Sequence, residues 1–409
     1  MYIAVMGYGT VGSGVVEVLH KNHDSIVSKS TQKDLELKYI LDLRDFPGDP
    51  NEDKFVKDFN IILNDDSVKI VVETMGGLHP AFEFVSSLLK AGKSVVTSNK
   101  ELVAQKGYEL LTLADENNVN FLFEASVGGG IPIIRPISQC LVANIVDEIA
   151  GILNGTTNFI LTKMIEDGMQ FDAALKLAQD LGFAERNPAA DIEGHDACRK
   201  ICILASLAFG KHVYPNFVHT EGITEITLED VKYAEAYNCV IKLIGRVKRL
   251  DDGKIDIIVA PMFVPNKSQL ANIDYEFNGI MVRGDCTGDV VFYGKGAGKL
   301  PTASAVVADV VDCCKHLKTR KFLFWADGNG DNILPYEESV TAMYIRANTT
   351  FELAQEVFGC IDKIEKADSP EGEIAFVTAQ LPYGEIIEKI AALESRGAKV
   401  ISKIRIGDL

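Results

Sequence analysis

The chain opens with a short apolar run, YIAVM at 2–6, which breaks at Gly7 and gives way to VVEVLHK, apolar at helical spacing. Apolar, strand-like runs return at LKYILDLRDF (37–46), Ile70–Glu73, Lys93–Thr97 and Asn120–Glu124, with helical stretches between them. This alternation predicts βα units around a parallel sheet. Each strand ends in polar or small residues, at the edge where ligands bind in open α/β folds. The glycine-rich stretch ASVGGGIPIIRPI then predicts a crossover, or a flexible hinge, into a second domain. A strand over Ile145–Leu153 and the turn Asn154-Gly-Thr-Thr-Asn158 lead into a helix, FILTKMIEDG. KIDIIVAPMFVP and GIMVRGDCTGDVVFYGKGAG alternate like strands of a mixed or antiparallel sheet, and SAVVADVVDCC reads as a helix. After a polar linker at about 319–338, the chain reads TAMYIRAN (strand), FELAQEVFGCI (helix), KIEKA and EIAFVTAQ (strands), GEIIEKIAALESR (helix) and KVISKIRI (strand). That order is the βαββαβ of a ferredoxin-like unit.

A chain of 409 residues predicts two or three domains with a good-sized core. Its net charge of -17 argues against nucleic acid or an anionic membrane as partner. It lacks an uncharged apolar run of about eighteen residues, the length a transmembrane helix needs. The first strand begins at once, without a basic leader or cleavage site, which gives the expectation of a cytoplasmic protein. The eight cysteines show no metal-ligand spacing and predict buried free thiols. Asp327-Gly-Asn-Gly-Asp331 lacks the acid spacing and terminal glutamate of a calcium loop.

Gly7-Tyr8-Gly9-Thr10-Val11-Gly12 sits between strand and helix, the context a dinucleotide fingerprint requires. Gly7 permits the tight turn, Gly9 lets backbone approach a pyrophosphate, and Gly12 lets helix pack on strand. An acid at the end of the second strand favours NAD, whereas an arginine accommodates the 2′-phosphate of NADP. Asp42 and Arg44 stand there together, so the choice stays open. Lys100 follows a strand, where it is either surface or a ligand for a phosphate, nicotinamide-side or substrate group. The Asn and Thr residues of 154–158 either cap a helix or present hydroxyls and amides to a small polar ligand. The densest chemistry lies in LGFAERNPAADIEGHDACRK, residues 181–200. Asp196 and Lys200 are four apart on a predicted helix, hence side by side, either as a surface ion pair or as a pair that orients a substrate and relays a proton.

GYGTVGSG at the start, TSNKELVA at 97–104, EASVGGGIPIIR at 124–135, NGTTNFILTKM at 154–164, the 181–200 stretch and YGKGAGKLPTASAVVAD at 293–309 together resemble the homoserine dehydrogenases. The resemblance covers residues 1–317 in unbroken order. It implies NADPH- or NADH-dependent reduction of L-aspartate 4-semialdehyde to L-homoserine, a step toward threonine, methionine and isoleucine. By it Lys200 is the proton donor, Glu185 and Asp196 hold the substrate, and Lys100 is a second active-site lysine for binding or proton relay. Asp191 supports the site, and Thr156 of the NGTTN turn meets the substrate carboxylate. Tyr8, Thr10, Val11, Thr74, Ser98, Gly182 and Gly298 match cofactor contacts, joined on the pocket side by Arg44 and Lys100. Glu124, Val127, Gly129 and Ile131 match a sodium site formed mostly by backbone carbonyls. His195 is left without a role and reads as structural.

The resulting architecture is a Rossmann-type domain over 1–132 completed by a helix at 301–317, a substrate and dimerisation domain over 133–300, and an ACT-like domain over 339–409. The resemblance implies a homodimer or homotetramer. In the tail, RANTTFELAQ lacks the Pro-Gly of the family's threonine-receiving loop, which leaves feedback by threonine open.

Overall fold

The computed structural model describes residues 1–32, 34–317 and 319–409. The first elements are β1 (Tyr2–Met6), α1 (Thr10–Lys21), α2 (His23–Ser30), β2 (Glu36–Leu41), β3 (Phe55–Val56), α3 (Phe59–Leu63) and β4 (Val68–Glu73). They continue with α4 (Ala81–Lys90), β5 (Ser94–Thr97), α5 (Lys100–Glu116) and β6 (Phe121–Leu122). The strands form one parallel sheet in the order β3-β2-β1-β4-β5-β6, the Rossmann order. Ile70, Val71, Val72, Val95 and Val96 are fully buried, which is why β4 and β5 read as unbroken apolar runs. The order reverses between β1 and β4, so their carboxyl ends lie side by side, and the Thr74 amide donates to the Met6 carbonyl at 2.9 Å.

Two strands are shorter than their apolar runs predict. β2 ends at Leu41 because the Asp42 carboxylate accepts the amides of Tyr8 (2.8 Å) and Arg44 (2.9 Å), turning the chain out of the sheet. β6 ends at Leu122, and Glu124 falls in a single 3-10 turn.

The chain continues through β7 (Val146–Ile152), α6 (Gly155–Asp167), α7 (Phe171–Asp180), α8 (Ala189–Ile192), α9 (His195–Phe209), β8 (His219–Thr220) and α10 (Leu228–Ala236). Next come β9 (Cys239–Arg249), β10 (Ile255–Pro265), β11 (Phe277–Gly284), β12 (Gly288–Lys295) and α11 (Lys299–Lys315). The tail comprises β13 (Val340–Thr341), β14 (Met343–Asn348), α12 (Phe351–Phe358), β15 (Ile361–Ile364), β16 (Glu373–Thr378), β17 (Leu381–Pro382), α13 (Tyr383–Ser395) and β18 (Lys399–Ile406). Its βαββαβ order stands, but its strands extend the sheet of the preceding residues, in the order β12-β11-β7-β9-β10-β18-β14-β16-β15. The join is a parallel pairing of β18 with β10 at Met262↔Arg405 and Phe263↔Ile406. Buried Arg346 of β14 also pairs with Asp230 of α10 at 3.0 Å.

By contact density the chain forms two compact units. One holds Met1–Ile145, Cys202–Pro215 and Phe292–Asn329, and the other holds Val146–Ile201, Asn216–Val291 and Gly330–Leu409. In the first, α11 packs on α1 so tightly that a Cβ on Gly14 would lie 2.7 Å from the Lys299 carbonyl.

The stretch predicted as a polar linker is anchored instead. Trp325 is 1% exposed, packed over Gly107, and Ala326 exchanges backbone hydrogen bonds with Gly210 and His212. The single tryptophan supplies the burial that its polar neighbours conceal. Cys198, Cys202, Cys239, Cys313 and Cys314 are buried free thiols, whereas Cys140, Cys286 and Cys360 are free but exposed. Among the described residues, no helix is long and apolar enough to cross a membrane.

Candidate active site

In the first unit a pocket of about 440 Å³ opens at the reversal of strand order. Gly7, Tyr8, Gly9, Asp42, Arg44 and Thr74 line it, with Leu43, Phe59, Pro80 and Phe84 as apolar wall. Gly7 turns at φ +92°, and a Cβ there would lie 2.9 Å from Thr74 backbone. A Cβ on Gly12 would lie 1.9 Å from the Gly7 carbonyl. Nothing lies within 4 Å of a Cβ built on Gly9, leaving its backbone open to a ligand, with Thr10 and Val11 opening α1 behind it. The shape and chemistry fit a dinucleotide: glycine backbone at a helix N-terminus for the pyrophosphate, apolar walls for the base, and charged groups for the ribose.

Those charged groups are already coupled. Arg44 grips Asp42 through Nε (3.0 Å) and Nη2 (2.8 Å), which holds the carboxyl well below the usual carboxylate range. Asp42 is largely covered, while Arg44 is 61% exposed over the Phe46 ring. Burial and the neighbouring Asp49 push the Tyr8 hydroxyl up to about 12. Beneath the pocket, Glu73 is fully buried. Its Oε1 accepts the amides of Met75 (2.7 Å) and Gly76 (3.3 Å), and its Oε2 accepts the Thr97 hydroxyl at 2.5 Å. Burial raises its pKa despite these bonds. Ser98 and Lys100 follow β5, where Asn99 caps α5 by accepting the Leu102 amide.

In the second unit, Lys200 and Asp196 form the pair expected from their spacing, and it is not a surface pair. Nζ lies 2.7 Å from Asp196 Oδ2, with side chains 10% and 3% exposed. The same Nζ donates to the Leu153 carbonyl at 2.7 Å. The Asn154 amide donates to Asp191 Oδ1 (2.7 Å) and Asp196 Oδ2 (2.8 Å), while its oxygen caps α6 by accepting the Thr157 amide at 2.8 Å. A cation, two carboxylates and an amide thus converge where β7 turns into α6. The arrangement can hold an ammonium on its acids and deliver a proton from its lysine.

The rest of the NGTTN turn is structural in its contacts. Thr156 Oγ1 donates to the Phe183 carbonyl at 2.6 Å, and Asn158 Nδ2 donates to the carbonyls of Ile273, Tyr275 and Phe277. Glu185 is exposed on the loop after α7 and stands outside the Asp196–Lys200 network, as does exposed Gly182 with φ +78°. His195 is exposed, 3.2 Å from Glu193. Gly298, at φ +122°, occupies the N-cap of α11.

In the predicted sodium loop the Glu124 carboxylate is engaged elsewhere, accepting the amides of Ile133 (2.6 Å), Ile134 (2.8 Å) and Arg135 (2.9 Å). Val127 and Ile131 are buried apolar side chains and Gly129 has none, so these positions offer an ion only backbone oxygen. Among the described residues, no group of three or more His, Cys, Asp or Glu side chains is placed to hold a metal. Sequence reasoning missed two residues. Glu73 closes the apolar run IVVE just before Thr74-Met-Gly-Gly, an acid where a buried strand meets a ligand loop. Asn154 was visible only as one of several residues that either cap a helix or present an amide to a small polar ligand.

Residues 7–124 match the family model "Homoserine dehydrogenase, NAD binding domain", and residues 132–311 match "Homoserine dehydrogenase". Homoserine dehydrogenase of Neisseria gonorrhoeae is 38% identical over 438 residues, covering 100% of this chain and 98% of that protein. The Bacillus subtilis enzyme is 41% identical over 325 residues, covering 77% and 73%. Among solved structures, a homoserine dehydrogenase from Thiobacillus denitrificans superposes with TM-score 0.89 at 35% identity, covering 100% of this chain and 98% of that one. A hyperthermophilic archaeal homoserine dehydrogenase in complex with NADPH gives TM-score 0.63 at 27% identity, covering 76% and 97%.

Proposed function

The chain belongs to the homoserine dehydrogenase family, and on that premise we propose that Lys200 is the proton donor at the reacting oxygen. Lys200 Nζ gives its proton to the alkoxide oxygen formed as L-aspartate 4-semialdehyde becomes L-homoserine, and recovers it in the reverse direction. Bound NADPH or NADH supplies the hydride. Asp196 holds Lys200 in place and, with Glu185, takes the substrate ammonium, while Asp191 supports Asp196 through Asn154. Thr156 orients the substrate carboxylate on releasing its hydroxyl from the Phe183 carbonyl. The observation that carries this reading is the buried Asp196–Lys200 pair set on the Leu153 carbonyl.

Gly7, Gly9 and Gly12 with Tyr8, Thr10, Val11 and Thr74 hold the dinucleotide, Ser98, Gly182 and Gly298 add contacts, and Lys100 binds or relays a proton. The exposed Arg44 guanidinium favours a 2′-phosphate, hence NADP. Glu124, Val127, Gly129 and Ile131 would hold sodium, mostly through backbone carbonyls. The domain reading assigns 1–132 with the helix at 301–317 to the cofactor, 133–300 to substrate and self-association as a dimer or tetramer, and 339–409 to an ACT-like module, in a cytoplasmic enzyme. The test is the loss of nicotinamide absorbance when L-aspartate 4-semialdehyde is added with NADPH or NADH. Rapid loss is expected, and no loss in protein that binds nucleotide would defeat the substrate assignment.

A further inference from the structure

We infer that Asn154 is a positioning residue of the reaction, its side-chain amide clamping the Asp191 and Asp196 carboxylates and so fixing the group that holds Lys200. This rests on the roles of Asp196 and Lys200 proposed above. Asn154 is 5% exposed, and its amide works in two directions. The oxygen caps α6 on the Thr157 amide, and the nitrogen divides its two hydrogens between two carboxylates at 2.7 and 2.8 Å. A flipped amide would set oxygen against both carboxylates and N–H against N–H, so the bonding pattern admits one orientation.

The cap needs only the oxygen, and Asp or Ser would supply it equally well. The nitrogen is what asparagine adds. Two acids converging on one point repel each other, and a neutral double donor between them offsets that repulsion without the mobile charge of a lysine. The adjoining residue completes the cradle, because the Leu153 carbonyl takes the other hydrogen bond of Lys200. The corner 153–154 therefore grips the cation through its carbonyl and the anions through its amide. Asp196 and Lys200 share one register set by that corner, and a misplacement of about 1 Å in such a set costs on the order of a hundredfold in rate.

The test compares Asn154→Ser and Asn154→Asp, both of which keep a helix cap, with Lys200→Met alongside. The Ser variant should lose about tenfold in kcat, with melting temperature and NADPH affinity near wild type. The Asp variant should lose about a hundredfold, with NADPH affinity near wild type but a lower melting temperature, because it buries a third carboxylate beside Asp191 and Asp196. In the Asp variant a third carboxylate raises the proton affinity of its neighbours, so the acid limb of the kcat/KM profile should move to higher pH. Turnover within about threefold of wild type and an unmoved profile in both variants would overturn the inference. Failure of both to fold despite their caps would assign Asn154 to the fold and overturn it equally. If Lys200→Met itself turns over normally, the underlying site reading has failed. If Lys200→Met is inactive while the Asn154 variants are normal, only the clamp is wrong.

Discussion

Replacing Arg44 by alanine should reverse the balance between the two nicotinamide cofactors. In the structure Asp42 accepts four hydrogen bonds, from the amides of Tyr8 and Arg44 and from Arg44 Nε and Nη2. A carboxylate has about four acceptor sites, so a ribose 2′-hydroxyl meets an acid that is already occupied. A 2′-phosphate meets an exposed guanidinium. A hydrogen bond to a charged group contributes about 1.5–3 kcal/mol, so Arg44→Ala should weaken NADPH by about 10- to 100-fold. For NADH the change removes only an exposed ion pair, which contributes little to binding, and releases two acceptor positions on Asp42. NADH affinity should hold within about fivefold or improve. Titration of each cofactor by nicotinamide fluorescence measures both constants on the same protein. Equal weakening of NADH and NADPH would refute the reasoning and place the discrimination elsewhere in the pocket.

Two further changes probe the scaffold. Glu73→Gln keeps the size of the buried side chain but loses an acceptor for the amides of Met75 and Gly76 or for the Thr97 hydroxyl. It should weaken both cofactors by about three- to tenfold, and unchanged dissociation constants would show that the loop at 74–77 does not need the carboxyl. Glu221 joins His219 (2.8 Å) and Tyr336 (2.8 Å) at the seam between β8 and the tail. Burial pushes its carboxyl up, but those bonds and the Lys403 charge outweigh it and hold the pKa at about 2, against 4.5 ordinarily. Because the folded value is depressed, this stabilisation is complete above about pH 4.5 and is lost as pH falls toward about 2. Melting temperature should therefore fall less steeply through that window in Glu221→Gln than in wild type. Parallel curves would remove Glu221 as a source of acid lability.

Much of the first unit was legible because parallel strands buried on both faces leave continuous apolar runs, and a tight glycine turn tolerates few substitutes. The end of β2 was misjudged because the side-chain bonds of Asp42 stop a strand that its apolar pattern would continue. Lys200 and Asp196 could be paired from their spacing alone, yet the choice between a surface pair and a covered one stayed open, since the covering chain around Leu153 and Asn154 lies some forty residues away. Trp325 shows the same limit: a polar neighbourhood hid an anchor whose partner, Gly107, is distant in sequence. The joining of β18 to β10 left no mark on either strand, because an apolar strand does not declare its neighbour.

The most direct test of the account is turnover of Lys200→Met beside the double variant Lys200→Met/Asp196→Asn. Removing Nζ should lower kcat by about 10² or more while NADPH still binds. It should also cost stability on the order of 3 kcal/mol, because a buried carboxylate loses its cation. Neutralising Asp196 in the double variant should recover most of that stability and none of the turnover. Near-normal kcat in Lys200→Met would contradict the proposed chemistry, whatever its melting temperature.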